Sequence, residues 1–218
     1  MKKETNIKIE NEKEMPKKEI MDVVFLLDRS GSMSKMVQDT IGGYNSYLAG
    51  MKNKNAKITT VLFDDKYEML TKREKIKNVK ELNNATYYTR GSTALLDAIG
   101  KTINYMDKEK PNKVVFIITT DGFENSSIEY NKCQIKELIE AHNNWEFIYL
   151  GADIDAYGEA QAIGIRRDRT SNYSKTKAGM GAMFKSVESL CVEYEESGTI
   201  HEDWKDGLEE YIDNNINS

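Results

Sequence analysis

Cysteine is scarce in this chain of 218 residues: Cys133 and Cys191 are the two present. Each falls inside a predicted helix, so no disulfide framework is indicated. Long apolar runs are missing too. No stretch approaches the roughly 18 consecutive apolar residues of a membrane span. The Lys- and Glu-rich segment from Met1 to Lys18 lacks the apolar core of a signal peptide. A cytoplasmic location and no membrane partner are the expectations. Basic residues do not predominate: 31 Lys and Arg stand against 36 Asp and Glu, for a formal net charge of -5. The lysines are interleaved with acids, as on a solvated surface, and no nucleic-acid partner is expected. Histidine is limited to His142 and His201, neither of which has the pattern of a base beside a nucleophile. No Gly-x-Ser-x-Gly elbow occurs, which argues against Ser-His-Asp hydrolysis. Gly42-Gly43 lacks the Lys-Ser/Thr of a phosphate-binding loop.

What remains is 39% hydrophobic and 31% charged, enough for one large globular domain or at most two small ones. Residues 1–19 read as a flexible polar leader, 20–197 as the body and 198–218 as a C-terminal helical extension. Met21 to Asp28 is an unbroken apolar run and reads as a strand buried on both faces. A helix from Ser34 to about Met51 follows. Ala56 to Phe63 and Tyr67 to Thr71 then form a hairpin across Asp64-Asp65-Lys66. Thr93 to about Asp107 reads as a helix ended by Pro111, and Lys113 to Thr119 as a second fully buried strand. Beyond it come a helix near 130–143, a strand from Glu146 to Leu150, and helices at Asp155 to Ile163, Ser174 to Glu196 and Glu202 to Tyr211. Strands alternating with helices imply an α/β fold. It is Rossmann-like and doubly wound, with a mainly parallel sheet, one antiparallel edge strand and helices on both faces. Ligands collect at the carboxyl ends of the strands in such folds.

The first strand stops at Asp28-Arg29-Ser30-Gly31-Ser32, where an aspartate and two hydroxyls cluster. Alone, this segment is compatible with a metal site, a nucleophile or a tight turn. Two other segments belong at the same edge. In Arg90-Gly91-Ser92-Thr93, Ser92 or Thr93 is a metal-ligand candidate or a helix N-cap. In Ile117-Ile118-Thr119-Thr120-Asp121-Gly122, Asp121 ends a buried strand or starts a turn.

The ordered set Asp28-x-Ser30-x-Ser32, Thr93 and Asp121 resembles the von Willebrand factor type A domain and its metal-ion-dependent adhesion site, over about residues 20–197. The resemblance implies that Ser30 and Ser32 bind a divalent cation directly. Thr93 would supply a third hydroxyl, and Asp28 and Asp121 would act mostly through water. Neutral hydroxyls with outer carboxylates suit Mg²⁺ or Mn²⁺, which keep several waters in octahedral geometry. It further implies a bacterial, non-enzymatic interaction module whose cation coordinates an acidic side chain of a partner protein. Separate ATPase chains are among the partners of stand-alone relatives. The competing reading is a metal-dependent phosphohydrolase with Asp28 as nucleophile. Ser30 stands where such an enzyme needs a second aspartate as its acid-base group.

Other residues receive smaller roles. Gly31 allows a tight turn, whether for the ligands or simply between strand and helix. Arg29 points away from the ligands. Asp64-Asp65 reads as a polar turn, Asp153 or Asp155 as an N-cap, and Glu124 and Asn125 as rim residues. Residues 178–183, rich in small side chains and Met, suit close packing on the sheet. Trp145 and Trp204 read as packing residues.

Overall fold

The computed structural model describes residues 19–208. The leader read at the N-terminus lies almost wholly outside that range, as does the end of the helix read over Glu202 to Tyr211. The apolar run forms strand β1, Met21–Asp28, and every one of its residues is buried. A 3₁₀ turn over Gly31–Met36 precedes helix α1, Val37–Met51. Strands β2, Ala56–Phe63, and β3, Tyr67–Lys75, form the expected antiparallel hairpin. Then come α2, Leu95–Glu109; β4, Lys113–Thr120; α3, Lys132–Ala141; and β5, Trp145–Ala152. Helix α4, Ala156–Ala162, leads to β6, Thr170–Tyr173, and α5, Lys177–Ser197. Glu202–Lys205 is a 3₁₀ turn.

One sheet holds all six strands in the order β3-β2-β1-β4-β5-β6. Only the β2–β3 pairing is antiparallel. The α/β, doubly wound architecture expected from the sequence is therefore present. Alternation along the central strands divides the core into two layers. Val23, Phe25 and Leu27 of β1 pack with Val115 and Ile117 of β4 beneath α1 and α5. Val24 and Leu26 pack with Val114, Phe116 and Ile118 beneath α2, α3 and α4. Met180 and Met183 of the small-residue stretch enter the first layer, so close packing is its role.

Three readings need correction. Strand β6 carries no strand signal in the sequence because Thr-Ser-Asn-Tyr has no apolar run, although Thr170, Ser171 and Tyr173 are buried. Strand β3 runs on to Lys75 because an edge strand with one exposed face accepts polar residues. Helix α2 starts at Leu95 rather than Thr93, because its N-terminus is capped from another loop, as described below.

The strand order reverses between β1 and β4, which are direct neighbours. Crossovers leave to opposite sides at the carboxyl ends of these two strands, the place where open α/β sheets bind ligands. Asp28 closes β1 and Asp121 follows β4.

Candidate functional site

Asp28 is fully buried, and both of its carboxylate oxygens are engaged. Oδ1 accepts from the Ser30 amide at 2.7 Å, and Oδ2 from the Thr120 hydroxyl at 2.6 Å. Burial pushes this carboxyl up to about 6, against the pull of the Thr120 and Ser30 hydrogen bonds and with a small push from Asp121. Ser30 Oγ and Ser32 Oγ stand 3.0 Å apart, and Ser32 Oγ donates to Asp121 Oδ1 at 2.5 Å. The second oxygen, Asp121 Oδ2, is buried and accepts no hydrogen bond. Its charge is met by Lys175 Nζ, 3.0 Å away. Partial burial pulls the Lys175 ammonium down, but pairing with Asp121 and Asp153 outweighs this and raises its pKa.

Thr93 joins the cluster through Gly122. A Cβ added to Gly122 would lie 3.1 Å from Thr93 Oγ1 and 3.6 Å from Ser32 Oγ. The two hydroxyls therefore border one small space that glycine leaves open. All five residues singled out in the sequence meet at one sheet edge, with only Ser32 exposed to solvent.

The backbone that delivers Thr93 is stitched to β1. Arg90 N donates to Arg29 O at 2.9 Å, and Gly31 N to Gly91 O at 3.2 Å. Glycine is required at Gly91, whose φ is +65° and where a Cβ would collide with the Asp65 carboxylate. Gly31 has no such need: a Cβ there would meet only Gly91 O, at 3.5 Å.

Arg29 does turn away from the hydroxyls, but into the protein, where it is fully buried. Its Nε donates to Asp64 Oδ2 at 2.9 Å and its Nη1 to Glu68 Oε2 at 2.7 Å. Asp64 also accepts from Arg90 Nε at 2.7 Å. Asp64 thus sits in the hairpin turn as read, yet its side chain is the buried anchor for both arginines. Only the third dimension brings together residues so far apart in the chain.

Thr93 does not cap α2, whose N-terminus has no side-chain cap of its own. The loop after β4 does the work instead. Glu124 Oε2 accepts from Leu96 N at 3.0 Å, and Ser127 Oγ from Asp97 N at 3.0 Å. Asn125 Oδ1 accepts from Thr93 N at 2.9 Å. In return, Asp97 accepts from the amides of Ile128, Glu129 and Tyr130 at 2.9–3.0 Å. Glu124 and Asn125 therefore brace the Thr93 and Asp121 loops against each other, and Asn125 is exposed beside the cluster. Asp155 caps α4 by accepting from Gly158 N, as one sequence reading held. Trp204 pins the C-terminal segment by donating to Asp168 O at 2.9 Å.

The donor set is chemically distinctive. Among the described residues, no group of three or more His, Cys, Asp or Glu is placed to hold a metal ion. The cluster instead offers hydroxyls backed by two carboxylates, one of them with an uncapped buried oxygen. Oxygen donors of this kind fit a hard divalent cation that retains water.

The model of the von Willebrand factor type A domain matches residues 22–185. The chain belongs to that family. Its type A domain is similar to proximal thread matrix protein 1 from the mussel byssus, at 14% identity and a TM-score of 0.59, over 79% of this chain and 46% of that one. A structure of the same mussel protein with a zinc-occupied MIDAS motif aligns at 15% identity and a TM-score of 0.60, with the same coverage. The pilus adhesin SpaC from Lactobacillus rhamnosus GG aligns at 14% identity and a TM-score of 0.64, over 80% of this chain and 30% of that one. At such identities the likeness is one of fold, and the chain spans less than half the length of these neighbours. No curated protein matches. No helix among the described residues is long and apolar enough to cross a membrane.

Proposed function

We propose that this type A domain is a protein-interaction module that holds a Mg²⁺ or Mn²⁺ ion through Ser30, Ser32 and Thr93, with Asp28 and Asp121 behind them. The observation that carries this reading is the gathering of three hydroxyls beside Asp121, with Ser30 Oγ next to Ser32 Oγ, Ser32 Oγ on Asp121 Oδ1, and Thr93 Oγ1 bordering the same space at Gly122. A cation held mainly by neutral oxygens keeps residual positive charge and an exchangeable position, which an acidic side chain of a partner can take. The chain's own residues prepare that position. Ser30 N and Thr120 Oγ1 orient Asp28, and the Glu124–Asn125 brace fixes Thr93 against Asp121.

The surroundings support a partner-facing surface. Tyr88, Phe123 and Ile128 are exposed on the two loops that carry Thr93 and Asp121. Exposed large apolar residues on site loops are the usual material of an interface. A phosphohydrolase is disfavoured because Asp28 is fully buried with both oxygens engaged by Ser30 N and Thr120 Oγ1, so its carboxylate is not presented to a substrate phosphorus. The unpaired thiols of Cys133 and Cys191 suit the reducing cytoplasm.

The test is capture of binding proteins on the immobilised domain with Mg²⁺ and with chelator. A partner held only with metal, and lost with Asp121→Ala, is expected. Partners held equally in both conditions would refute the mechanism.

A further inference from the structure

Three neighbouring strands, β4, β5 and β6, each send one charged side chain to the same point beyond the sheet edge. Asp121 follows β4, Asp153 follows β5 and Lys175 lies just beyond β6. Lys175 Nζ stands 3.0 Å from Asp121 Oδ2 and 3.4 Å from Asp153 Oδ2. The two acids are unequal partners. The Asp121 side chain is fully buried, whereas that of Asp153 is 63% exposed and solvated without help. The ammonium is therefore the charge that compensates the one carboxylate oxygen of the cluster with no hydrogen bond. A buried carboxylate without such compensation is strongly disfavoured.

This arrangement has a consequence for the cation site. The ammonium already occupies the electrostatic place that a divalent ion beside Asp121 would fill. If Lys175 stays, the incoming ion meets a positive charge across one carboxylate; if it withdraws, its contact with Asp121 is lost. Both routes weaken binding of the ion. We propose that Lys175 is an internal counter-cation of Asp121 that competes with the divalent ion and sets the affinity of the site. The inference rests on the cation-site reading above. It adds that affinity is held down by a residue outside the ligand set, on the segment that opens α5.

The experiment is calorimetric titration of MnCl₂ into the full chain, for the wild type, Lys175→Met, Lys175→Gln and Lys175→Arg. Lys175 is in a loop with a partly exposed side chain, and the Gln variant guards against poor folding of the Met variant. Removing the charge should tighten Mn²⁺ binding by roughly tenfold, the scale of ordinary coupling between neighbouring sites. Lys175→Arg should stay close to the wild type. Binding by the neutral variants alone, with none by the wild type, would support the inference more strongly. Equal or weaker binding by the neutral variants, with the wild type still binding, would overturn the inference and leave the cation site standing. No binding by any of the four would overturn both.

Discussion

Replacing Asp28 with asparagine should make the metal-free protein more stable at pH 7, although it removes a residue of the proposed site. Burial raises the Asp28 carboxyl from 3.8 to about 6. Each tenfold change in acidity corresponds to about 1.4 kcal/mol, so the ionised side chain costs the fold about 3 kcal/mol at neutral pH. Asparagine removes that cost in nearly the same shape. Its Oδ1 can still accept from Ser30 N, and its Nδ2 can donate to Thr120 Oγ1. The Thr120 hydroxyl can then donate to Gly122 O, 3.2 Å away. Allowing for imperfect geometry, a gain of about 1–3 kcal/mol is expected, or roughly 3–10 °C in Tm for a domain of this size. The pH dependence follows from the sign of the shift. The folded carboxyl binds its proton below about 6 and the unfolded one only below 3.8, so the penalty applies above 6 and is relieved as pH falls between these values. The advantage of Asp28→Asn should therefore shrink from pH 7 towards pH 4. Thermal unfolding in chelator at pH 7 and pH 4.5 measures both effects. An Asp28→Asn protein that melts below the wild type at pH 7 would refute the reasoning.

Two further outcomes concern the frame around the site. Asp64→Asn weakens the pairing of the fully buried Arg29 guanidinium, and loss of a buried pairing costs about 3–5 kcal/mol; chemical denaturation should show a loss near that size, and a change below 1 kcal/mol would contradict the buried-anchor role. Asp97→Ala releases the amides of Ile128, Glu129 and Tyr130. It should destabilise the protein by about 2–4 kcal/mol, given roughly 1 kcal/mol per bond. Hydrogen exchange at those three amides should rise, and unchanged protection would show that the loop is held by other contacts.

Much of this architecture is legible along the chain because the decisive residues sit where apolar runs stop. The unbroken runs of β1 and β4 mark strands buried on both faces, and each ends on the residues that the structure brings together. Thr93 is harder, since a hydroxyl before a helix has a capping explanation as good as any other. What excludes that explanation is Glu124 and Ser127 reaching over from the next loop, a contact that no local pattern announces. The same holds for Arg29 and Asp64, 35 residues apart, whose pairing is evident only in the folded chain. Lys175 is not legible in the sequence for a further reason. It follows β6, a strand too short and too polar to be recognised, so nothing placed it at the sheet edge.

The most direct measurement is titration of Mg²⁺ and Mn²⁺ into the wild type and into Ser32→Ala and Asp121→Ala variants whose folding has been verified by circular dichroism. The wild type should bind one divalent ion and both variants should lose that binding. Undiminished binding by both variants, or none by either the wild type or Lys175→Gln, would contradict a cation site at the meeting point of β1, β4 and the Thr93 loop.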